Sequence, residues 1–382
     1  MTKMMISILE MMTDMRTSQN KRGSRSLRIR LAAAAVIAAA TCSMRLAARH
    51  ADGWADLWRR YTNRIWVNGL GRISSLVSFS LVEFLIYGIL LAVAGFLVSA
   101  AVFVLQRRKN RRRYLAAGLT RILLLAAVIF FLYEGGEDVC FYCSSFSEIY
   151  SYGRGDYSTE DLAAVCEKIA EKCNTYAVQV KRDSRGIMVL DEHADRRVSE
   201  AMERLGEQYP LLDGWYPRAK GVCFSRLMSK TNMAGIYSAY TAEANYNTEM
   251  PPYNIPFTMS HELSHVKGIL PENEANFTAY LNCVNAPDPD LVYSGYVTGW
   301  VYCGNELYRR DRTRWRQIAS ELSSSVNLDL NYNTEFWDQF KGKTAERAEK
   351  FNDAYLRQAG QSSGVKSYDQ VTDLIVSYEQ KS

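Results

Sequence analysis

The sequence predicts an α+β protein in which three N-terminal transmembrane helices precede a mostly helical domain with a small sheet. Three observations carry this. Apolar runs long enough to cross a bilayer occupy residues 31–48, 76–105 and 115–133. After Glu134 the pattern changes to amphipathic segments of ordinary helical length. Between residues 233 and 246, small, aromatic and polar residues alternate as they do in short strands.

The chain therefore divides into a basic cytoplasmic segment, 1–30, a membrane region, 31–133, and an extracytoplasmic domain, 134–382. Residues 1–26 are Met-rich, then polar and basic, with no sign of a packed element. The Ala-rich run 31–48 follows Arg22, Arg25, Arg28 and Arg30 in the layout of a signal peptide, but the spans behind it make it an uncleaved anchor. The run 76–105 is the clearest span, and its one acid, Glu83, lies near its end, where an interfacial position is expected. Arg107, Arg108, Lys109, Arg111, Arg112 and Arg113 form the densest positive block, and Arg121 is close enough to the start of the third span to snorkel.

Up to Arg121 the formal charge is +15 and beyond it −10. Because the basic clusters flank apolar runs, they read as topology signals, and the expected partner is a lipid bilayer with no nucleic acid. The positive-inside rule puts both clusters in the cytoplasm and everything after Glu134 outside. Trp54, Trp58, Tyr61 and Trp66 suit an outer interfacial belt, whereas Arg49, Arg59, Arg60 and Arg64 in the same loop run against the rule. No internal repeat, Walker loop or dinucleotide loop is present.

Within the domain, residues 158–174 read as an amphipathic helix capped by Ser158 with Asp161 three residues on. Residues 177–190 have strand character, 194–208 form a second helix, and His193 before it is a surface or capping residue. Residues 209–222 read as an ordered loop, and 309–323 and 344–358 as charged helices packed around the core. Cys140-x-x-Cys143 has no second pair at zinc spacing nearby, so free or locally paired thiols are expected.

The chemistry is concentrated in residues 260–283. His261 and His265 stand four apart, which on a helix stacks both imidazoles on one face where they can share a metal ion. With Glu262 this is His-Glu-x-x-His, in which the two His bind zinc and the Glu is the general base on the metal-bound water. A third ligand is needed, and the next carboxylates are Glu272 and Glu274. Gly268 is placed to end the first helix and Pro271 to open the next at its first position. That second helix would carry Glu272, Asn276 and Ala279 down one face, which favours Glu272 as the ligand and leaves Glu274 as the alternative.

Residues 260–276 resemble the gluzincins, zinc metallopeptidases with a His-Glu-x-x-His helix and a glutamate ligand on a following helix. Glu272-Asn273-Glu274-Ala275-Asn276 resembles their Glu-x-x-Ala-Asp/Asn signature, which implies Glu272 as ligand and Asn276 as support for a ligating His. Most of the chain is also similar to a family of bacterial membrane proteins of unknown function. That similarity rests on Pro217-Arg218-Ala219-Lys220-Gly221-Val222, Ala234-Gly235-Ile236-Tyr237, Ala242-Glu243-Ala244-Asn245, Ser260-His261-Glu262-Leu263-Ser264-His265, Glu274-Ala275-Asn276-Phe277 and Tyr293-Ser294-Gly295-Tyr296.

The resemblance implies a zincin-like fold, Zn2+ as cofactor, a peptide or protein substrate, and an edge strand at residues 235–239 that pairs with substrate backbone. It also makes Tyr293 and Tyr296 candidates for stabilising the oxyanion. Glu243 and Asn245 could line the cleft or cap a turn. The function expected is a membrane-anchored zinc peptidase acting outside the cytoplasm. The alternative is a membrane sensor or scaffold that keeps zinc for structure, with Cys283 as the nearest fourth ligand. Intramembrane proteolysis is disfavoured because the motif lies outside the spans.

Overall fold

The computed structural model describes residues 2–105, 111–153, 156–358 and 370–381. The chain forms two units, one of residues 1–47 with 84–135 and one of residues 48–83 with 136–382.

The first unit is built from the helices Thr2–His50, Leu81–Leu105 and Arg111–Gly136. Three runs, Arg25–His50, Leu81–Phe103 and Tyr114–Tyr150, are long and apolar enough to cross a bilayer. Side chains such as Leu90, Leu91, Leu97 and Val98 are exposed, as a lipid-facing surface requires. Gly118 allows the Phe96 ring to come close, since a Cβ there would stand 2.0 Å from it. Tyr114 stacks on Phe103 at 4.5 Å and shares a hydrogen bond with Ser99 at 2.9 Å.

Two boundaries differ from expectation. The first helix starts at Thr2, because residues 2–22 hold no Gly or Pro and are rich in good helix formers. The second starts at Leu81, five residues late, where Ser80 accepts from the Glu83 N–H as a cap. Arg107, Arg108 and Lys109 lie outside the described residues.

The second unit is mostly helical around a three-stranded sheet. Strands β1 (Lys220–Gly221), β2 (Gly235–Ser238) and β3 (Glu243–Tyr246) lie in the order β1-β3-β2, with β1 parallel and β2 antiparallel to β3. β2 is an edge. The motif helix Asn254–Val266 lies against this sheet, over a core that includes Val198, Met202, Tyr237, Ala244, Met259 and Leu263. A larger core joins Thr159–Ala177, the ligand helix Glu272–Val284, Pro289–Arg310 and Val371–Glu379 through Leu162, Ile169, Phe277, Tyr280, Val297 and Ile375. Gly299 permits the close approach of the middle pair, because a Cβ there would stand 2.6 Å from Tyr280.

Local signals explain the element starts. Ser158 and Asp161 form the reciprocal capping box, and Asp288 caps Pro289–Arg310 through the N–H groups of Asp290 and Leu291. Ala194–Gln208 has the expected bounds, and His193 before it is exposed and makes no side-chain cap. Residues 177–190 are not a strand. They hold one bridge, Arg182 to Met188, because Arg182 and the Met188 N–H are both drawn onto the buried Asp329. The charged segment 309–323 is broken at Asp311, whose side chain caps a separate helix, Arg312–Ala319. Ser324–Asp338 and Val371–Glu379 are helices that the pattern did not announce. The eight cysteines are free.

Candidate metal centre

The motif helix ends in a Schellman turn. Gly268 takes φ +76°, its N–H reaches the His265 carbonyl at 2.9 Å, and the Ile269 N–H reaches the Ser264 carbonyl at 3.1 Å. The turn brings the Ile269 carbonyl back over the helix, where it accepts from His265 Nδ1 at 2.8 Å. His261 Nδ1 likewise donates to Asn276 Oδ1 at 2.8 Å, from the ligand helix. Both imidazoles therefore spend Nδ1 on the protein and turn Nε2 to a common point.

Glu272 meets them there. Its Oε2 lies 3.2 Å from His261 Nε2 and its Oε1 3.9 Å from His265 Nε2. The ligand atoms of the three residues all lie within 4.8 Å of one another, and among the described residues this is the group arranged to hold a metal ion. Nitrogen and oxygen ligands about 2.0–2.2 Å from a tetrahedral zinc stand roughly 3.3–3.5 Å apart, so the set fits that ion after small movements.

Electrostatics give the same picture. Burial works against protonation of His261, but the Glu272 hydrogen bond and charge outweigh it and push the imidazole up to about 9. Burial pushes His265 down to about 4 and the Glu262 carboxyl up to about 8. A proton thus sits where a cation would bind, and a bound dication would favour the ionised form of Glu262. Glu262 Oε2 and Asn276 Nδ2 are buried without hydrogen-bond partners.

The alternative ligand is elsewhere. Glu274 accepts from the Ser147 N–H at 2.8 Å and its hydroxyl at 2.6 Å, which fixes it at the start of the helix Phe146–Tyr150. Pro271 is the residue before the ligand helix rather than its first, because its ψ of 129° is extended. Cys283 contacts Ser260, at 3.5 Å, and is no part of the cluster.

A family model described as Protein of unknown function (DUF3810) matches residues 58–376. The chain belongs to this family. No curated protein and no solved structure matches it.

Several of the residues that the sequence offers as candidates serve structure. Tyr293 donates to Asp329 at 2.6 Å and receives Arg182 at 3.3 Å, and Tyr296 stacks on Tyr176 at 6.2 Å. Both hydroxyl-bearing rings thus face the helical core, since their helix is rotated to pack Gly295 and Gly299 against the ligand helix. Glu243 lines no cleft, and it accepts from the Thr241 hydroxyl in the turn before β3 at 2.8 Å. It is buried, paired with Lys220, and accepts from the N–H groups of Leu81 and Val82. Asn245 Nδ2 is spent on the carbonyls of Ile236 and Glu243, at 3.3 Å each. Glu83 is buried, and accepts from the N–H groups of Cys223 and Phe224 at 3.0 Å.

Two further residues stand beside this site. Gly235, at the start of the edge strand, lies so close to the motif helix that a Cβ would stand 2.3 Å from Glu262 Oε1. The glycine is there for space. Tyr302, on Pro289–Arg310, is pushed up by burial and further by the charge of Glu272. Its helical phase gave no hint of this.

Proposed function

We propose that this protein is a membrane-anchored zinc-dependent peptidase that hydrolyses peptide bonds outside the cytoplasm, with a zincin-like domain. The observation that carries the reading is a cluster of three protein donors, His261, His265 and Glu272, with Glu262 beside it offering an unpartnered buried oxygen. Structural zinc sites normally close their fourth position with protein, whereas catalytic ones leave it open. Cys283 is turned to Ser260, which weighs against the sensor or scaffold reading.

The residues divide the work as follows. His261, His265 and Glu272 would hold zinc, which when bound polarises a scissile carbonyl and acidifies water. Asn276 and the Ile269 carbonyl hold the two imidazoles in orientation. Glu262 takes the proton of the attacking water at its carboxylate and returns it to the leaving amine. The edge strand β2 begins at Gly235, against Glu262, and offers backbone groups to an extended peptide laid past that carboxylate.

An outward domain is supported by the basic cluster before the first apolar run. Of the arginines that ran against the rule, Arg49 and Arg59 are engaged by the fold, Arg49 with Tyr142 and Arg59 with Asp56, whereas Arg60 is exposed and Arg64 makes only an exposed pair with Asp213.

The test is zinc content and peptide-library cleavage by the full chain in detergent, with Glu262→Gln, Glu272→Gln and Glu274→Gln alongside. Wild type should hold about one zinc and cleave. Glu262→Gln should keep zinc and lose cleavage, and Glu272→Gln alone should lose zinc. Zinc without cleavage of any library would favour the sensor or scaffold, and absence of zinc would sink the proposal.

A further inference from the structure

The connection between the first two apolar helices is itself helical. From residue 54 to residue 74 two π-helical segments, Arg59–Asn63 and Val67–Gly71, alternate with short α-helical turns. Ala55, Arg59, Asn63, Val67, Gly71 and Ser74 are buried, at a spacing of four and finally three. In a straight α-helix a four-residue repeat drifts by about 40° each time, and the wider π-turns take up that drift. One stripe therefore stays buried along the whole run.

That stripe is built into the unit that carries the metal centre. Asn63 Nδ2 donates to the Val266 carbonyl at 3.1 Å, at the end of the motif helix. Trp66 Nε1 donates to the Ala239 carbonyl at 2.7 Å, just beyond β2. Arg59 donates to the Ser144 carbonyl at 3.1 Å.

The opposite stripe is apolar and uncovered. Leu57, Tyr61, Ile65, Ile73 and Leu76 are 57–82% exposed. Elsewhere on the same unit Phe224 and Leu227 are also exposed, at 59% and 62%, and the Phe224 N–H is bonded to Glu83 in the first turn of the second apolar helix. Arg60, Tyr61, Arg64 and Ile65 line a shallow depression with Asn68 and Gly69. Between residues 49 and 80 five Arg stand against two Asp. An apolar face of this size on a water-facing surface needs an occupant.

Connectivity says which one. The run is bounded by His50, where one bilayer-length helix ends, and by Ser80, the cap of the next. Both ends therefore lie where segments able to cross a bilayer emerge from it. Trp54 and Trp58, stacked at 5.2 Å at its start, are the residue type that settles at head-group depth. Apolar side chains beside arginines match acyl chains beneath anionic head groups.

We propose that the face formed by Leu57, Tyr61, Ile65, Ile73 and Leu76, with Arg60, Arg64 and Arg72, lies in the head-group region of an anionic lipid surface. It holds the metal-bearing unit against the bilayer, and it stands independently of the peptidase reading.

The full chain, reconstituted in nanodiscs of phosphatidylcholine with phosphatidylglycerol, tests this. Cys42→Ser and Cys223→Ser remove the exposed thiols, and an environment-sensitive fluorophore is placed on Ile65→Cys, on Leu57→Cys as a second site, or on Val178→Cys as a control on an 82% exposed position. Doxyl-labelled lipid should quench the label at 65 or 57 about threefold more than at 178. Arg60→Gln, Arg64→Gln and Arg72→Gln together should reduce that quenching towards its value in pure phosphatidylcholine. Equal quenching at 65, 57 and 178, with all three open to aqueous iodide, would place the face in water and overturn the proposal. So would labels at 65 and 57 shielded from both quenchers in a particle of doubled protein mass, the sign of a second copy. Lipid quenching unaffected by phosphatidylglycerol or by the arginine changes would overturn the anionic part.

Discussion

Glu243 on β3 and Glu262 on the motif helix are both buried carboxylates of one domain, and the fold provides for them in opposite ways. Glu243 accepts from Lys220, from the N–H groups of Leu81 at 3.0 Å and Val82 at 2.9 Å, and from the Thr241 hydroxyl at 2.8 Å. Glu262 Oε2 accepts from nothing, and burial holds its carboxyl up to about 8. A buried carboxylate with its oxygens occupied is scaffold, whereas one left open is a cost that needs a use. Glu274 and Glu272, two residues apart, are held by different partners. The first is satisfied by Ser147, and the second faces two imidazole nitrogens.

The sharpest way to break this comparison is to make the same change on both sides. Glu262→Gln should leave melting unchanged and lower peptide cleavage by about 10³-fold or more, with zinc retained. Glu243→Gln should leave the Lys220 ammonium buried beside an amide and destabilise the fold by about 3–5 kcal/mol, read as a lower melting temperature in detergent. If Glu243→Gln melted like wild type, occupancy of the oxygens would not be what separates the two. Gly235→Ala comes next. The added methyl must displace the Glu262 carboxylate, so cleavage should fall by roughly 10²-fold while zinc content stays. Unchanged turnover there would mean that Glu262 acts from another position.

What the sequence revealed and withheld follows from range. The four-residue spacing of His261 and His265, and the helical phase that separates Glu272 from Glu274, are local and were legible, even though Pro271 sits one place outside the helix. The role of Gly235 depends on a helix packing across it, which no local pattern records. Tyr293 and Tyr296 lie on a helix whose rotation is set by Gly295 and Gly299 against the ligand helix, and so their partners are not readable from the sequence. Residues 177–190 alternate like a strand yet bridge only upon themselves, because Asp329 captures Arg182 and the Met188 N–H. Residues 54–74 escaped because a four-residue repeat has neither the 3.6 nor the 2.0 period. Only the π-turns make it a face.

Smaller effects probe the imidazoles. Asn276→Ala removes the acceptor that holds His261 Nδ1, and should weaken zinc binding by about 10–100-fold with little change in melting. The pH dependence tests the same point. In the metal-free centre His261 holds a proton up to about 9 and Glu262 up to about 8, while His265, at about 4, is already neutral. Bound zinc would displace the His261 proton and lower the affinity of Glu262 for its own, so the bound state would carry fewer protons than the free one. Affinity should therefore rise with pH through neutrality and level off above about 9, by about tenfold per unit for each proton released. Calorimetry in two buffers of different ionisation enthalpy counts those protons, and between about one and two are expected near pH 7. Affinity flat across that range, with no proton released, would mean that the metal does not bind at His261 and that the unpartnered oxygen of Glu262 has some other purpose.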